Sequence, residues 1–170
     1  MKINVKEIAV FAVMASLMFA SKMAMEFLPN IHLVGVFVIA LTDVYRKKAL
    51  YPVYTFVFMV GLFSGFSTWW LPYLYIWLVL WGITMCMPKN MNAKIKGIVY
   101  MVICALHGFL YGIMYAPVHM FLYGMSFDAI VAWIVAGVPW DLVHGVGNFF
   151  CGMLIMPIIK ALKFGEKHCR

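Results

Sequence analysis

The strongest constraint on this chain is a series of apolar runs, each roughly 18 to 25 residues long, that recurs along most of the sequence. Such a run forms a helix that can cross about 30 Å of hydrocarbon, where a helix satisfies its own backbone groups. Hydrophobic residues make up 66% of the chain and charged residues 11%, so too few polar side chains remain to cover a water-soluble domain of this size. The sequence predicts one all-α integral membrane domain comprising residues 1–170.

Six transmembrane spans follow from the hydrophobic pattern, and the second of them is short. Their approximate limits are 5–27, 33–45, 49–66, 69–87, 97–117 and 138–163. Basic residues cluster between the spans, and an N-terminus inside the cell places every Lys and Arg except Lys22 at a cytoplasmic end. We therefore expect about six transmembrane helices with both termini in the cytoplasm. The net charge of +7 reflects this topology rather than a surface for nucleic acid.

Three segments then face outward, near residues 28–32, 65–72 and 117–139. The third segment is too apolar for a solvated loop. Ser126 is a suitable N-cap for a short helix over residues 127–136, whose Phe, Ile, Val and Trp content is typical of a segment that lies against a bundle or in the membrane interface. The sequence predicts a lid at this position.

Polar residues in the outer half of the spans mark the candidate binding site, because charges at membrane depth are costly unless they face a cavity or a partner. On the last span, a rotation of about 100° per residue brings Asp141, His144 and Asn148 into one stripe with Gly145 and Gly152. The three polar side chains offer a carboxylate, an imidazole and an amide to one ligand, and the glycines leave room beside them. The alternative is that these groups satisfy one another and join helices.

An aromatic stripe on the fourth span is the second candidate element. It consists of Trp70, Tyr73, Trp77 and Trp81, which recur at helical spacing. The outer members, Trp70 and Tyr73, can form a wall for a planar ring, although Trp and Tyr are also enriched at membrane interfaces without any ligand. We expect Trp81 to lie too near the cytoplasm to contact an outer ligand.

Glu26, Asn30 and His107 complete the predicted substrate site. Glu26 stands four residues after Lys22, so the two can pair along the first helix, and that pairing alone would account for both. In the alternative, Glu26 contacts the ligand and the Lys22 charge keeps the carboxylate ionised. Asn30 belongs to the first outward turn, and His107 lies near mid-depth, where bonding between helices is its alternative role.

A ladder of small residues follows another face of the first helix. Its members are Ala9, Ala12, Ser16, Ala20 and Ala24. Small residues let helices approach closely in lipid, where packing drives association. The ladder predicts that Ala12, Ser16 and Ala20 dock a helix, which belongs either to a partner or to the chain itself. An internal contact of the same kind is expected at Gly108, Gly112 and Ala116.

These features together resemble the substrate-binding S components of energy-coupling-factor vitamin transporters. The resemblance covers nearly the whole chain. The series Ala12-x-x-x-Ser16-x-x-x-Ala20 is similar to the Ala-x-x-x-Ala docking motif of that family, with one serine that keeps the small size. The segment from Pro139 to Asn148 is similar to segments near the ligand pocket in several members.

The resemblance implies a mechanism and a set of partners. A family member of this kind captures a micronutrient from outside a bacterial or archaeal cell, docks on a transmembrane coupling subunit and topples to open inward, driven by two cytoplasmic ATPase subunits. The chain has no G-x-x-x-x-G-K-[ST] phosphate loop, so we expect ATP hydrolysis in the partners and no enzymatic activity here. The four cysteines lack paired metal spacing. No metal, cofactor or catalytic residue is predicted.

The predicted ligand is a planar, hydrogen-bonding ring, because carboxylate, imidazole and amide groups stand near aromatic residues. Riboflavin-like, thiamine-like, folate-like and deazaguanine-like molecules all fit, and the carboxylates slightly favour a 7-deazaguanine base such as queuine. Two alternatives remain open. A stand-alone proton-coupled transporter would use Glu26, Asp141 and His144 as a relay, and a membrane enzyme would use Asp141 and His144 as acid and base.

Overall fold

The structure, a computed structural model, describes residues 3–168, and every regular element in that part of the chain is a helix, with no β-strand among the described residues. The helices are α1 (Val5–Ala24), α2 (Val34–Tyr45), α3 (Leu50–Ser64), α4 (Tyr73–Met85), α5 (Ala93–Phe109), α6 (Tyr111–Tyr123), α7 (Phe127–Cys151) and α8 (Ile155–His168). Short 3-10 turns, Arg46–Ala49 and Gly152–Leu154, precede α3 and α8. The predicted all-helical class is confirmed. The predictions for Lys2, Cys169 and Arg170 lie outside the described residues.

Helix ends are set by local side chains. Asn4 and Glu7 form a reciprocal capping box at the start of α1, and the Asn92 side chain accepts a hydrogen bond from the Lys94 amide at 2.9 Å to cap α5. Ser126 caps α7 through the Ala129 amide at 3.3 Å, at the position the sequence predicted. Gly124, with φ of 59°, ends α6 in the left-handed conformation that glycine adopts without steric cost.

Helix α2 is the centre of the bundle. Every residue from 34 to 42 is buried, and the helix packs against α4 and α8 as well as against α1 and α5. The only hydroxyl in this stretch, on Thr42, donates to the Val38 carbonyl at 2.6 Å and is satisfied within the helix. The short second span of the sequence pattern is therefore shielded by the other helices.

Arg46 ends α2 with a φ of 53°, an uncommon conformation for a residue with a side chain. Two contacts hold it there. The Arg46 guanidinium donates to the Met85 carbonyl at 2.6 Å, and the Trp81 indole donates to the Arg46 carbonyl at 3.1 Å. Together they join the end of α2 to the end of α4, which fixes the sharp reversal into α3.

The contacts of charged residues bring four parts of the chain to one end of the bundle, here called the basic end: residues 4–7, 46–49, 86–96 and 160–167. Lys48 pairs with Glu7 at 2.6 Å, and Lys96 and Lys163 both pair with Asp43. Every Lys and Arg of the described residues except Lys22 belongs to this end. The clustering of basic residues predicted from the sequence is thus a real feature of the packed bundle.

Among the described residues, three helices are long and apolar enough to cross a membrane. They are Val5–Ala24, Ala93–Tyr123, which joins α5 and α6 across Leu110, and Phe127–Lys167, which joins α7 and α8. The apolar helix α4 is shorter. These helices support membrane association, while the count of six spans stays a prediction.

The segment predicted as a short lid helix over residues 127–136 is helical and packs against the bundle, but it is part of a longer helix. Residues 127–136 are the first turns of the 25-residue helix α7, which continues through Pro139, and α6 extends beyond Pro117 to pack against it. The predicted fifth span ended at 117 and the last began at 138, beside Pro117 and Pro139, and proline usually interrupts helices. In the structure these prolines lie inside helices, so α6 and the start of α7 form an antiparallel pair.

Candidate functional site

A cavity of about 180 Å³ lies where the turn between α1 and α2 meets α4, α6 and α7. Its mouth, the more exposed side, is formed by residues 25, 26 and 28–31 together with Lys22. Its inner wall consists of His32, Tyr73, Tyr111 and His144. The wall residues come from four separate segments, so the cavity exists only because the helices pack in this order.

Three rings surround the deepest part of the cavity. The His144 ring lies 4.8 Å from the His32 ring and 4.6 Å from the Tyr111 ring, measured between centroids and in edge-to-face geometry. Only 1% of the His144 surface is exposed. Each of these contacts presents ring edges or faces rather than hydrogen-bond partners, so the polar atoms of His144 remain available to a molecule in the cavity.

A second layer lies directly below this wall. The Trp77 ring stacks on the His107 ring at 5.5 Å and meets the Tyr73 ring at the same distance, edge to face. Asn148, one turn after His144 on α7, is also buried. We call the combined group the His pocket; it comprises His32, Tyr73, Trp77, His107, Tyr111, His144 and Asn148.

Several buried nitrogen and oxygen atoms of the His pocket have no hydrogen-bond partner within residues 3–168, and we call these the open polar atoms. They are His32 Nδ1, Trp77 Nε1, His107 Nδ1, His144 Nδ1, His144 Nε2 and Asn148 Oδ1. A buried polar group without a partner is costly, and native structures contain few. Three of the six atoms belong to His32 and His144, which line the cavity, so a polar molecule there can complete their hydrogen bonds.

Close packing between α5 and α7 holds two layers of the pocket together. A Cβ atom on Gly108 would lie 2.9 Å from the Gly145 Cα, and one on Gly145 would lie 2.2 Å from Phe109 Cδ1. The two helices therefore touch backbone to backbone, with Gly152 against Met101 further along. This is the internal contact expected at Gly108, and it explains the glycines of the α7 stripe as packing positions.

The structure brings together most of the predicted substrate residues. His144 and Tyr73 belong to the inner wall of the cavity, and Glu26 and Asn30 belong to its mouth. His107 and Asn148 lie in the layer below. Asn30 also donates to the Trp140 carbonyl at 3.3 Å, which ties the mouth to α7.

Asp141 and Trp70 do not line the cavity. The Asp141 carboxylate accepts from the Gly112 amide at 3.1 and 3.2 Å, and so it serves the first turn of α6. The Trp70 indole donates to the Val57 carbonyl at 2.9 Å and its ring packs on Phe66. Their predicted ligand contacts stay predictions.

Lys22 and Glu26 form no ion pair with each other in the described part of the chain. Helix α1 ends at Ala24, so Glu26 stands in the following turn rather than one helical turn beyond Lys22. Both side chains border the cavity instead. The interpretation of the two residues as a mutually neutralised pair is wrong, because it required a helix that continued past Glu26.

Sequence reasoning missed Tyr111 as a site residue, and it counted His32 among the polar residues of the outer half without giving it a place in the substrate site. His32 follows an irregular turn, where no periodic pattern links it to the helices. Tyr111 stands four residues after His107, a spacing that puts two side chains on one face, but Leu110 breaks the helix between them. The spacing was the available signal for Tyr111.

The small-residue ladder of α1 faces away from the bundle. Ala9, Ala12, Ser16, Ala20 and Ala24 are all exposed. The Ser16 hydroxyl donates to the Ala12 carbonyl at 2.9 Å, so it is satisfied within the helix. Helix α1 packs on α3 and α2 through its other face, where Ala15 and Met18 are buried. The internal alternative for this ladder is therefore not realised within the described residues.

Comparisons of the chain with protein-family models, with curated proteins and with solved structures give no match.

Proposed function

We propose that the chain is the substrate-capturing subunit of an ATP-driven importer in the plasma membrane of a bacterium or archaeon, and that its cargo is a small planar micronutrient. The observation that carries the proposal is the cavity of the His pocket, whose buried wall places open polar atoms next to aromatic rings. Aromatic faces stack on planar heterocycles, and a few well-placed polar groups fix their orientation.

The proposed topology has six crossings with both termini in the cytoplasm. Its support is the gathering of Lys and Arg residues at the basic end, since cytoplasmic ends carry the excess of positive charge. The basic end then lies inside, and the mouth of the cavity opens outward. This orientation gives the pocket access to the outer medium, as capture requires.

The cavity supports a capture role better than a continuous pathway. Its lining residues all lie on the Lys22 side of the bundle, and the core beneath it is filled by Ile76, Leu80 and other apolar side chains of 0% exposure. Release of the ligand on the cytoplasmic side therefore requires that the protein reorient in the membrane or that a partner open the pocket. We propose that a transmembrane coupling subunit and two cytoplasmic ATPase subunits provide it.

The exposed ladder of α1 is the proposed docking face for the coupling subunit. Ala12, Ser16 and Ala20 leave a smooth groove that another helix can approach closely. Ser16→Phe and Ala20→Phe should block uptake in cells that supply the coupling module, while ligand binding to the purified protein stays unchanged. Leu17→Phe is the matched control, because Leu17 is 48% exposed and points about 100° away from Ser16 around α1. Normal uptake by Ser16→Phe and Ala20→Phe would rule out this docking face.

Ligand identification tests the capture proposal itself. The purified protein is denatured, co-purifying small molecules are sought by mass spectrometry, and riboflavin, thiamine, folate and queuine are titrated by tryptophan fluorescence. A stoichiometric planar micronutrient, with quenching on titration, is the expected result. If nothing co-purifies or binds, and uptake in cells follows the proton gradient rather than ATP, the stand-alone transporter takes its place.

A further inference from the structure

A groove of about 690 Å³ lies along α3, apart from the His pocket. It begins at Lys47 of the basic end, follows α3 from Leu50 to Phe58 and is bounded by Trp81 of α4. We call it the Lys47 groove. Leu50 and Phe58 are eight residues apart, which corresponds to roughly 12 Å along a helix axis. That length is most of one leaflet, since the whole hydrocarbon core is about 30 Å thick.

The α3 side of the Lys47 groove is an exposed, largely apolar face. Tyr51, Thr55 and Phe58 are exposed, and their spacings of four and three residues place them on one side of the helix. Helix α3 contains no charged residue. A hydrocarbon chain can therefore lie along this face without burying a charge.

The polar atoms deeper in the groove already have partners, whereas the lysine at its end has none. The Tyr54 hydroxyl donates to the Leu74 carbonyl at 2.7 Å, and the Trp81 indole donates to the Arg46 carbonyl at 3.1 Å. The Lys47 ammonium forms no hydrogen bond or ion pair with residues 3–168. The groove thus has a charged end and an apolar remainder.

The turn that carries Lys47 has an excess of positive charge. Arg46, Lys47 and Lys48 follow one another in the sequence, and Glu7 pairs with Lys48. The Arg46 guanidinium donates to a neutral backbone carbonyl, and Asp43 is already paired with two other lysines. Three positive charges and one negative charge leave this turn with a charge of +2 beside an apolar groove. Clusters of this kind at a cytoplasmic membrane surface attract anionic lipid headgroups.

We propose that the Lys47 groove binds an anionic phospholipid of the cytoplasmic leaflet, with the phosphate at the Lys47 ammonium and an acyl chain along α3. This site goes beyond the capture of a micronutrient and uses the proposed orientation only to assign the leaflet. A charged end and an apolar remainder match the two parts of a lipid, which favours a lipid over a helix of a partner protein. A zwitterionic lipid adds a cation that the turn repels, so the groove selects by headgroup charge.

Competition between two lipids with the same chains tests the proposal on the purified, delipidated full-length protein in a nonionic detergent. Palmitoyl-oleoyl phosphatidylglycerol and phosphatidylcholine are supplied in equal amounts, and native mass spectrometry counts the bound molecules of each. We expect phosphatidylglycerol to be preferred about fivefold, the ratio that one lysine beside an anionic lipid contributes. Glycerol 3-phosphate, which has the phosphate but no acyl chain, should not displace the lipid.

Four variants connect the preference to the groove. Lys47→Gln should bring the two lipids to near parity, while Lys47→Arg keeps the charge and should keep the preference. Lys94→Gln is the matched control, because Lys94 is an exposed lysine of the basic end that does not line the groove. Thr55→Trp fills the groove and should weaken the binding of both lipids. Ile98→Trp is its control, since Ile98 is 62% exposed on α5.

The outcomes separate the lipid from the other possible occupants. Equal binding of the two lipids by the wild-type protein, or an unchanged preference in Lys47→Gln, overturns the proposal. Displacement by glycerol 3-phosphate also overturns it in favour of a site for free phosphate. If neither lipid is retained and Thr55→Trp, unlike Ile98→Trp, blocks uptake in cells, the groove docks a partner protein instead.

Two controls keep the test decisive. Thermal unfolding shows whether each variant is folded, and if Lys47→Gln is not, the wild-type preference should still shrink as salt is raised, because screening weakens a contact between exposed charges. A preference that does not respond to salt then overturns the proposal. None of the substituted residues lines the cavity of the His pocket, so micronutrient binding should be unchanged and decides the capture proposal separately.

Discussion

Two polar groups stand at opposite ends of the central helix α2, and they differ in how their polar atoms are satisfied. At the basic end, Asp43 Oδ1 accepts from Lys96 at 2.8 Å and from Tyr100 at 2.7 Å. Asp43 Oδ2 makes no hydrogen bond of good geometry within residues 3–168, but it lies 3.3 Å from the Lys163 ammonium, an ion-pair distance. We call these four residues the Asp43 cluster. At the other end, the His pocket concentrates the open polar atoms.

The Asp43 cluster holds helices together, whereas the His pocket leaves buried polar atoms unsatisfied. The Asp43 cluster joins α2 to α5 and α8, and each charge in it faces an opposite charge or a hydroxyl. The open polar atoms of the His pocket are shielded from water and form no hydrogen bond with residues 3–168, which costs free energy. Natural proteins leave buried polar groups without hydrogen bonds chiefly at functional sites, where a ligand supplies the missing hydrogen bonds.

The largest expected effect comes from breaking the Asp43 cluster. Asp43→Asn removes the negative charge and leaves the Lys96 ammonium buried without its counter-charge, since the Lys96 side chain is only 8% exposed. Removing one partner of a buried ion pair costs about 3–5 kcal/mol. Unfolding in detergent by heat or denaturant measures the loss. A loss below about 1 kcal/mol, the range of exposed ion pairs, would show that the Asp43 cluster does not stabilise the bundle as a buried ion pair does.

A smaller loss is expected where α5 meets α7 beside the His pocket. Gly108→Ala places a Cβ 2.9 Å from the Gly145 backbone, so the two helices must separate. Overpacking of this kind costs about 1–3 kcal/mol, and ligand binding should weaken as well because His107 and Asn148 move apart. Gly137→Ala is the matched control on α7, since its Cβ meets nothing within 4 Å. Equal stability of the two variants would contradict the close contact.

The His pocket should respond to an apolar substitution in the opposite direction to the Asp43 cluster. His144→Phe keeps a ring between His32 and Tyr111 but removes two open polar atoms. We expect the free energy of unfolding to stay level or to rise by about 1 kcal/mol, while ligand binding is lost. Tyr100→Phe is the counterpart in the Asp43 cluster and should lower stability by about 1 kcal/mol, with binding unchanged. Equal destabilisation by both would remove the contrast.

The smallest effect is expected for Glu7→Gln at the basic end. Glu7 pairs with Lys48 at 2.6 Å, but the two side chains are 21% and 25% exposed. Partly exposed ion pairs contribute about 0–1 kcal/mol. A change of that size, which shrinks further at high salt, would confirm that burial rather than the number of ion pairs distinguishes the Asp43 cluster. A loss as large as that of Asp43→Asn would contradict this explanation.

The candidate site was only partly predictable. His144 and Asn148 were accessible because helical spacing aligns them on one face of α7. The position of His32 beside His144 was not predictable, because it depends on how an irregular turn crosses the bundle. Asp141 shares the α7 stripe yet reaches the Gly112 amide instead, since the neighbouring helix begins there. The contacts of Asp43 with Lys96 and Lys163 join residues 53 and 120 positions apart, which no periodic pattern relates.

The amino-acid sequence is enough to predict that the chain is helical, that its helices are apolar enough for a membrane, and that its basic residues gather at one end. These properties follow from composition and from short-range spacing, which act within each segment. Which polar groups come into contact depends instead on the packing of the helices. Proline did not end α6 or α7, and α1 stopped before Glu26. The pairing of Asp43 and the open atoms of His144 also depend on which helices become neighbours, because hydrogen bonds extend over only about 3 Å.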